Sequence, residues 1–233
     1  MSLSHSPLIV RDGLVLCLDA ANPRSYPKSG TTWSDLKGSN NGTLTNGPTF
    51  DADNKGSIVF DGTNDYINFG NGSEFSITEQ ITLICWMKKT DKTSNTGYHH
   101  LISRAPTSNI GYTLATEVNT GYPIFQFSTN GSNQWPNKAA IFPVDVCTGD
   151  WTMVAASYNS NTSTVLIGVN DSFYTETETG TMYNSTANVE IGRRSGVGQY
   201  YPANISAAII YNRALTASEV LQNYNATRGR YGI

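Results

Sequence analysis

The run Tyr211-Asn212-Arg213-Ala214-Leu215-Thr216-Ala217-Ser218-Glu219 constrains this chain more than any other stretch, because it takes a strand directly into a capped helix near the C-terminus. Ile205, Ala207, Ile209 and Tyr211 alternate with Ser206, Ala208, Ile210 and Asn212. That period of two is the signature of a strand. Thr216 then reads as an N-cap, and Glu219 three residues on completes a capping box, so two backbone donors are satisfied reciprocally. Leu215 and Val220 are placed to form a hydrophobic staple, and Gly229 sits where a C-cap glycine belongs. One strand closed by one helix has to be accommodated by whatever precedes it.

What precedes it is poor in helix formers. Charged residues make up 14% of the 233 residues, and Gly, Asn, Ser and Thr are abundant. This composition suits short strands joined by tight turns and not a helical bundle. Strand patterns fall at Leu14 to Leu18, Ser57 to Phe60, Tyr66 to Phe69, Ile81 to Lys88 and Tyr98 to Ser103, then at Gly111 to Thr116, Ile124 to Ser128, Trp151 to Tyr158, Val165 to Val169 and Val189 to Gly192. Asp61-Gly62 predicts a hairpin between the second and third of these. Ile81 to Lys88 is apolar on both sides, which predicts a central strand covered on both faces or bordering a groove. Tyr98 to Ser103 is expected to pair next to it. Asn159 to Thr162 predicts a hairpin turn, and Gly121-Tyr122-Pro123 another turn. The loop carrying Pro23, Pro27 and Gly30 is excluded from any central strand. Strands at this spacing argue for an all-β sandwich. Without an internal repeat or a low-complexity linker, the expected organisation is an N-terminal arm over residues 1–11 and one domain over residues 12–233.

Several motifs look familiar together. The closing segment, Tyr211 to Glu219 followed by Asn223-Tyr224-Asn225-Ala226-Thr227-Arg228-Gly229-Arg230-Tyr231, resembles that of laminin-G-like domains of the concanavalin A-like lectin/glucanase superfamily. The copies in tailed-phage structural proteins are the nearest in pattern. Leu18-Asp19-Ala20-Ala21-Asn22-Pro23, Trp33-Ser34-Asp35-Leu36, Asn41-Gly42-Thr43-Leu44, Phe60-Asp61-Gly62-Thr63-Asn64-Asp65-Tyr66-Ile67 and Trp151 agree with it, so the resemblance spans nearly the whole chain. It implies a jelly-roll sandwich of two antiparallel sheets with one short C-terminal helix. It says less about function, because this fold carries lectins, hydrolases and structural modules.

The net charge is −3 and no basic stripe is present, which argues against nucleic acid as a partner. Residues 1–7 read as having no secretory leader, and no apolar run reaches the roughly 18 residues of a membrane span. Cys17, Cys85 and Cys147 read as reduced and structural, with a Cys17–Cys85 or Cys85–Cys147 bridge as the alternative. The many Asn-x-Ser/Thr triplets reflect composition.

Catalytic patterns are thin. Retaining glycosidases need two carboxyl groups about 5 Å apart, a separation that strand positions i and i+2 supply. Only Glu176-Thr177-Glu178 offers that spacing, in a Thr-rich stretch that reads as a solvated edge. His99 and His100 are adjacent and point to opposite faces of a strand, so they cannot chelate one metal together. The expectation is one histidine in an interior groove and one at the surface. Gly192 to Gly198 is a glycine-rich turn without the Lys-Ser/Thr ending of a phosphate loop. No catalytic residue is therefore assigned, and no cofactor is required. Calcium is the one candidate ion, at Asp61, Asn64 and Asp65, hard oxygen donors beside Gly62; the alternative for these residues is Asp/Asn turn chemistry. Carbohydrate is the remaining ligand class, since sugars stack on aromatic faces with polar groups reading their hydroxyls. Tyr98, His100, Arg104, Tyr112, Gln126, Trp135, Arg194, Tyr200 and Tyr201 are the candidates.

The resemblance implies a non-enzymatic virion structural protein, a capsid decoration, fibre or accessory protein made in the host cytoplasm. Its expected partners are other virion proteins in many copies and host-surface glycans. A carbohydrate-binding module is the first alternative and a glycoside hydrolase the second.

Overall fold

The computed structural model describes residues 8–92, 97–133 and 138–233. In chain order the strands are β1 (Leu14–Asp19), β2 (Thr32–Trp33), β3 (Gly42–Thr45), β4 (Thr49–Asp51), β5 (Ser57–Asp61) and β6 (Tyr66–Asn68). Then come β7 (Gln80–Lys88), β8 (Tyr98–Ser103), β9 (Tyr112–Glu117), β10 (Pro123–Phe127), β11 (Ala139–Ile141) and β12 (Trp151–Asn159). The last are β13 (Thr164–Val169), β14 (Ser172–Thr177), β15 (Glu190–Ile191), β16 (Arg193–Arg194), β17 (Gln199–Tyr200) and β18 (Pro202–Tyr211), followed by helix α1 (Ala217–Thr227).

Two eight-stranded antiparallel sheets face each other, as the sequence predicts. The first has the order β14-β13-β12-β7-β18-β5-β4, with β1 also on β18; the second runs β11-β10-β9-β8-β15-β6-β3-β2. Between them Leu83, Cys85 and Met87 of β7, with Val154 and Tyr158 of β12, meet Leu114, Phe125 and Ile191 of the second sheet in one apolar layer. The other side of β7 is apolar for a separate reason. Ile84 and Trp86 form a second cluster with Met153, Ile209, Tyr211 and the helix residues Val220 and Tyr224. Tyr231 stacks on Trp86 with ring centroids 4.1 Å apart, and the indole N–H donates to Thr227 Oγ1 at 2.9 Å. Among the described residues no helix is long and apolar enough to cross a membrane.

The capping box forms as read, with Thr216 and Glu219 each accepting from the other's backbone N–H. Leu215 and Val220 both join the cluster under the helix. Gly229 is not a left-handed cap: the chain runs from α1 into a 3₁₀ turn over Arg228–Arg230, and the positive φ falls later, at Gly232. The last residues of the expected arm pack on α1. Leu8 accepts from Gln222 Nε2 at 2.7 Å, and the buried Val10 donates to Asn223 Oδ1 at 2.8 Å. Residues 1–7 of that arm lie outside the described residues.

Three local readings are corrected. Asp61-Gly62 does not close a hairpin. β5 pairs with β18 and β4 in the first sheet, while β6 pairs with β15 and β3 in the second, so the turn crosses between layers. Likewise β8 lies in the second sheet and not beside β7. On β18 the register slips between Ile205 and Ala207, and a bulge resets which side chain faces which side. Ile205 therefore joins Ala208 and Ile210 inside, whereas Ala207, Ile209 and Tyr211 face the helix. The β12–β13 hairpin and the β9–β10 turn form where they are expected. All three cysteines are buried free thiols, and burial pushes the Cys17 thiol up to about 12 and Cys147 up to about 11.

Candidate functional site

The outer face of the second sheet carries the polar and aromatic side chains that a ligand could meet. Its orientation follows from register. Leu114 of β9 and Phe125 of β10 point into the core and pair with each other, so their neighbours Thr113, Ala115, Gln126 and Glu117 point outward. Tyr98 and His100 of β8 stand opposite Glu117 and Ala115 on that same face.

A short hairpin lies across this face. β16 and β17 pair Arg193 with Tyr200 and Arg194 with Gln199, and the hairpin contacts β8 rather than extending a sheet. His100 is roofed by it. Its Nδ1 is 2.8 Å from Thr113 Oγ1 and its Nε2 3.0 Å from Gln199 Oε1. Burial, with the Arg194 charge second, pushes the imidazole down to about 3, so it stays neutral. Arg194 donates to the carbonyls of Ala105 at 2.8 Å and Pro106 at 3.4 Å. Among the described residues no carboxylate forms an ion pair with it. Arg193 clamps Glu190 through two bonds, of 2.9 Å and 2.6 Å, while its guanidinium lies 3.3 Å from the centroid of the Tyr66 ring. Glu190 is thus buried and neutralised. Tyr98 packs edge-on against His100 at 6.3 Å. Burial, with the Glu117 charge second, pushes its phenol up to about 12.

Four of the sequence candidates meet here: Tyr98, His100, Gln126 and Arg194, all half-buried except His100, which the hairpin covers. Half-buried Tyr200 stands on the other side of the hairpin, beside Arg193. Three more lie away from this face. Arg104 is buried, donating to Ala187 O at 3.0 Å and to Phe75 O. Tyr112 is buried beside it with its hydroxyl on Phe75 O at 3.3 Å. Tyr201 follows the hairpin but turns inward, edge-on to Phe60 and His99, and touches Met87 Sδ through its hydroxyl. These three anchor loops and core. Trp135 lies outside the described residues. His99 is not at the surface either: it is buried opposite Thr116, and neither ring nitrogen has a hydrogen-bond partner among the described residues. Tyr66, Glu190, Arg193 and Gln199 were missed by sequence reasoning. The signal available for them was the Arg-Arg pair inside a glycine-rich turn that ends in Tyr200-Tyr201.

At the calcium candidates the polar atoms serve the turn itself. Asp61 Oδ1 accepts from Thr63 N at 2.8 Å and Asn64 N at 3.3 Å, and Asp65 Oδ2 accepts from Asp61 N at 3.1 Å. The Thr63 amide is the main reason that Asp61 sits below the usual carboxylate range. This is Asx-turn geometry, folding the donors back onto their own backbone. Among the described residues no three His, Cys, Asp or Glu side chains gather into a metal-binding group.

Acids are also badly placed for hydrolysis. Glu190 stands opposite Ser103 and Glu117 opposite Tyr98. Five residues along β8 separate them by roughly 16 Å at 3.3 Å per residue, well beyond the carboxyl separation of either glycosidase class. Glu176 lies on the edge strand β14, as the sequence predicts, and Glu178 just past it is bridged by Lys138 at 3.4 Å.

A laminin G family, described as the concanavalin A-like lectin/glucanases superfamily, matches residues 61–221. The chain belongs to this superfamily. Solved structures agree on the fold. The binding domain of Paraclostridial Mosquitocidal Protein 1 superposes with a TM-score of 0.70 at 14% identity, over 92% of this chain and 52% of that one. The binding domain of botulinum neurotoxin DC in complex with SialylT gives 0.69 at 13%, over 94% and 52%. A structure described under the dependence of botulinum neurotoxin type C cell entry on two ganglioside molecules gives 0.67 at 14%, over 93% and 51%. Identities this low speak for shared fold alone, and the chain spans about half the length of these neighbours. No curated protein sequence matches it.

Proposed function

We propose that this protein is a non-enzymatic adhesion module of a phage virion that holds host-surface glycans on the outer face of its second sheet. The observation that carries this is half-buried Tyr98 beside Arg194, a guanidinium whose charge no carboxylate balances among the described residues. Aromatic rings supply stacking for a sugar, and the unbalanced cation favours an acidic one, such as a sialic or uronic acid. The SialylT and ganglioside descriptions of two fold neighbours support the same ligand class. The virion setting and the virion-protein partners are supported by the phage-like closing segment. There, many copies would turn weak contacts into avidity.

A glycan array tests the binding. Enrichment of carboxylated glycans, lost in Tyr98→Ala and Arg194→Gln proteins that still melt like the parent, is the expected result. Binding unchanged in both variants would remove this face from consideration, and turnover of any polysaccharide would replace adhesion with hydrolysis. Fractionation of particles tests the setting: the chain should co-sediment with heads or tails.

A further inference from the structure

The edges of the two sheets are not equal. β4 and β11 are three residues long and β2 is two. β1, paired only with β18, has six residues, but the segment after β2 covers its outer side: Cys17 N–H donates to Asp35 Oδ1 and Leu36 N–H to Cys17 O. β14 also presents six residues, Ser172 to Thr177. Long flat edges attract another strand unless Lys, Pro or a bulge protects them. β14 has no Lys and no Pro, and its register with β13 is continuous.

Which backbone groups point outward can be worked out. The β13–β14 turn is the two-residue Asn170-Asp171, so Val169 and Ser172 form the first hydrogen-bonded pair. Even-numbered residues therefore bond toward β13, and the Glu178 N–H donating to Ser163 O at 2.9 Å continues that parity. Phe173, Thr175 and Thr177 consequently aim their N–H and C=O groups away from the molecule.

We propose that a second copy of this chain docks here, β14 to β14, antiparallel and centred on Thr175. That register places Phe173 opposite Thr177 of the second copy, Thr175 opposite Thr175, and Tyr174 opposite Glu176. No carboxylate faces another. Moving the centre to Thr177 would set Glu176 against Glu178 of the second copy, a like-charge pair that destabilises a sheet. Charge thus excludes registers displaced toward Glu176 and Thr177. The same contact covers the apolar groove beside this edge, a cavity of about 490 Å³ formed by Phe142, Pro143, Val144, Phe173, Tyr174 and Glu176. Val144 and Tyr174 are 44% and 47% exposed, which the Tyr174 of the second copy would reduce by lying across the mouth of the groove.

Sedimentation equilibrium with site-directed variants tests this. The parent chain should have the mass of two chains at micromolar concentration. Thr175→Pro removes one outward N–H and leaves every β13 bond in place, so it should be monomeric with an unchanged melting temperature. Should that variant fail to fold, cysteine cross-linking decides. Cα atoms of a hydrogen-bonded pair lie about 5.5 Å apart, within reach of a disulfide. Thr175→Cys should therefore form a covalent dimer on mild oxidation, and Ser172→Cys should not. The native thiols are buried and give little background. A monomeric parent, a dimer that survives Thr175→Pro, or equal cross-linking of both cysteine variants would overturn the proposal.

Discussion

Mild acid should destabilise this protein mainly through two neutral histidines. His99 is held down to about 4, by burial first and the nearby Lys89 charge second; His100 is held down to about 3 by burial, then Arg194. Unfolded, each returns to about 6.5. Between those values the unfolded chain binds protons that the folded chain refuses, so stability falls as pH falls. At pH 5 an unfolded histidine lies about 1.5 units below its pKa, which at about 1.4 kcal/mol per unit is about 2 kcal/mol for each ring. Two rings make about 4 kcal/mol, a large part of the roughly 5–15 kcal/mol that a domain has. Two carboxyl groups work the other way: burial holds Asp65 and Glu176 above their usual range, so each offsets part of the histidine loss as pH falls. Glu219, held down to about 2 chiefly by the Arg213 guanidinium, keeps its contribution above the unfolded glutamate pKa and loses it only as pH falls below about 4.5. Lys89, pushed down to about 8 by burial, adds stability only as pH rises from about 8 toward its unfolded value. The assay is urea unfolding at pH 7.5 and pH 5. His99→Phe sharpens it, because the phenyl ring keeps the edge contact with Tyr201 and removes two nitrogens that have no hydrogen-bond partner among the described residues. Removing both members of an unmet polar demand is near neutral or stabilising, so this variant should match or exceed the parent at pH 7.5 and show half the acid loss. A parent that loses under about 1 kcal/mol over this interval would refute the reasoning. So would a His99→Phe protein with the parent's full loss.

The other expectations concern residues that hold the site from below. Arg104→Met strands the carbonyls of Phe75 and Ala187; about 1–3 kcal/mol each should appear as a lower urea midpoint, with glycan binding by the remaining folded protein intact. Gly62 has φ +74°, and a Cβ there would sit 2.5 Å from Pro202 Cβ. Gly62→Ala should therefore lower the thermal midpoint and cost about 1–3 kcal/mol.

Much of the fold was legible because it is written in local chemistry. The capping box needs only Thr216 and Glu219 at the right spacing, and the double-sided apolar run of β7 announces two covered faces. The missed strands are short or polar. β2, β3, β4 and β14 offer two to six residues rich in Thr and Ser, too little apolar surface to stand out. Asp61-Gly62 shows a harder limit. Its turn chemistry is real, with Asp61 capping Thr63 N, but a turn does not reveal whether the next strand pairs back or crosses to the facing layer. That choice is settled by which layer buries Ile67 beside Ile191, a contact distant in sequence.

The site was half legible for a related reason. Parity along β9 alone puts Tyr112 with Leu114 and so inside, and it could have been withdrawn from the candidates on that ground. Parity on β8 is unreliable, because the register slips between His100 and Ile102. The alternation counted from Tyr98 therefore fails from Ile102 onward. Arg104 and Tyr201 are beyond any period, since each is placed by loops whose carbonyls or rings come from far along the chain. The hairpin of β16 and β17 shows the same thing from the other side. Nothing local in Gly-Arg-Arg-Ser-Gly-Val-Gly says that Arg193 will cover Tyr66 or that Gln199 will meet His100. Yet those contacts decide the character of the face. They bury its clamped carboxylate, keep its histidine neutral, and set the Arg194 guanidinium against backbone carbonyls.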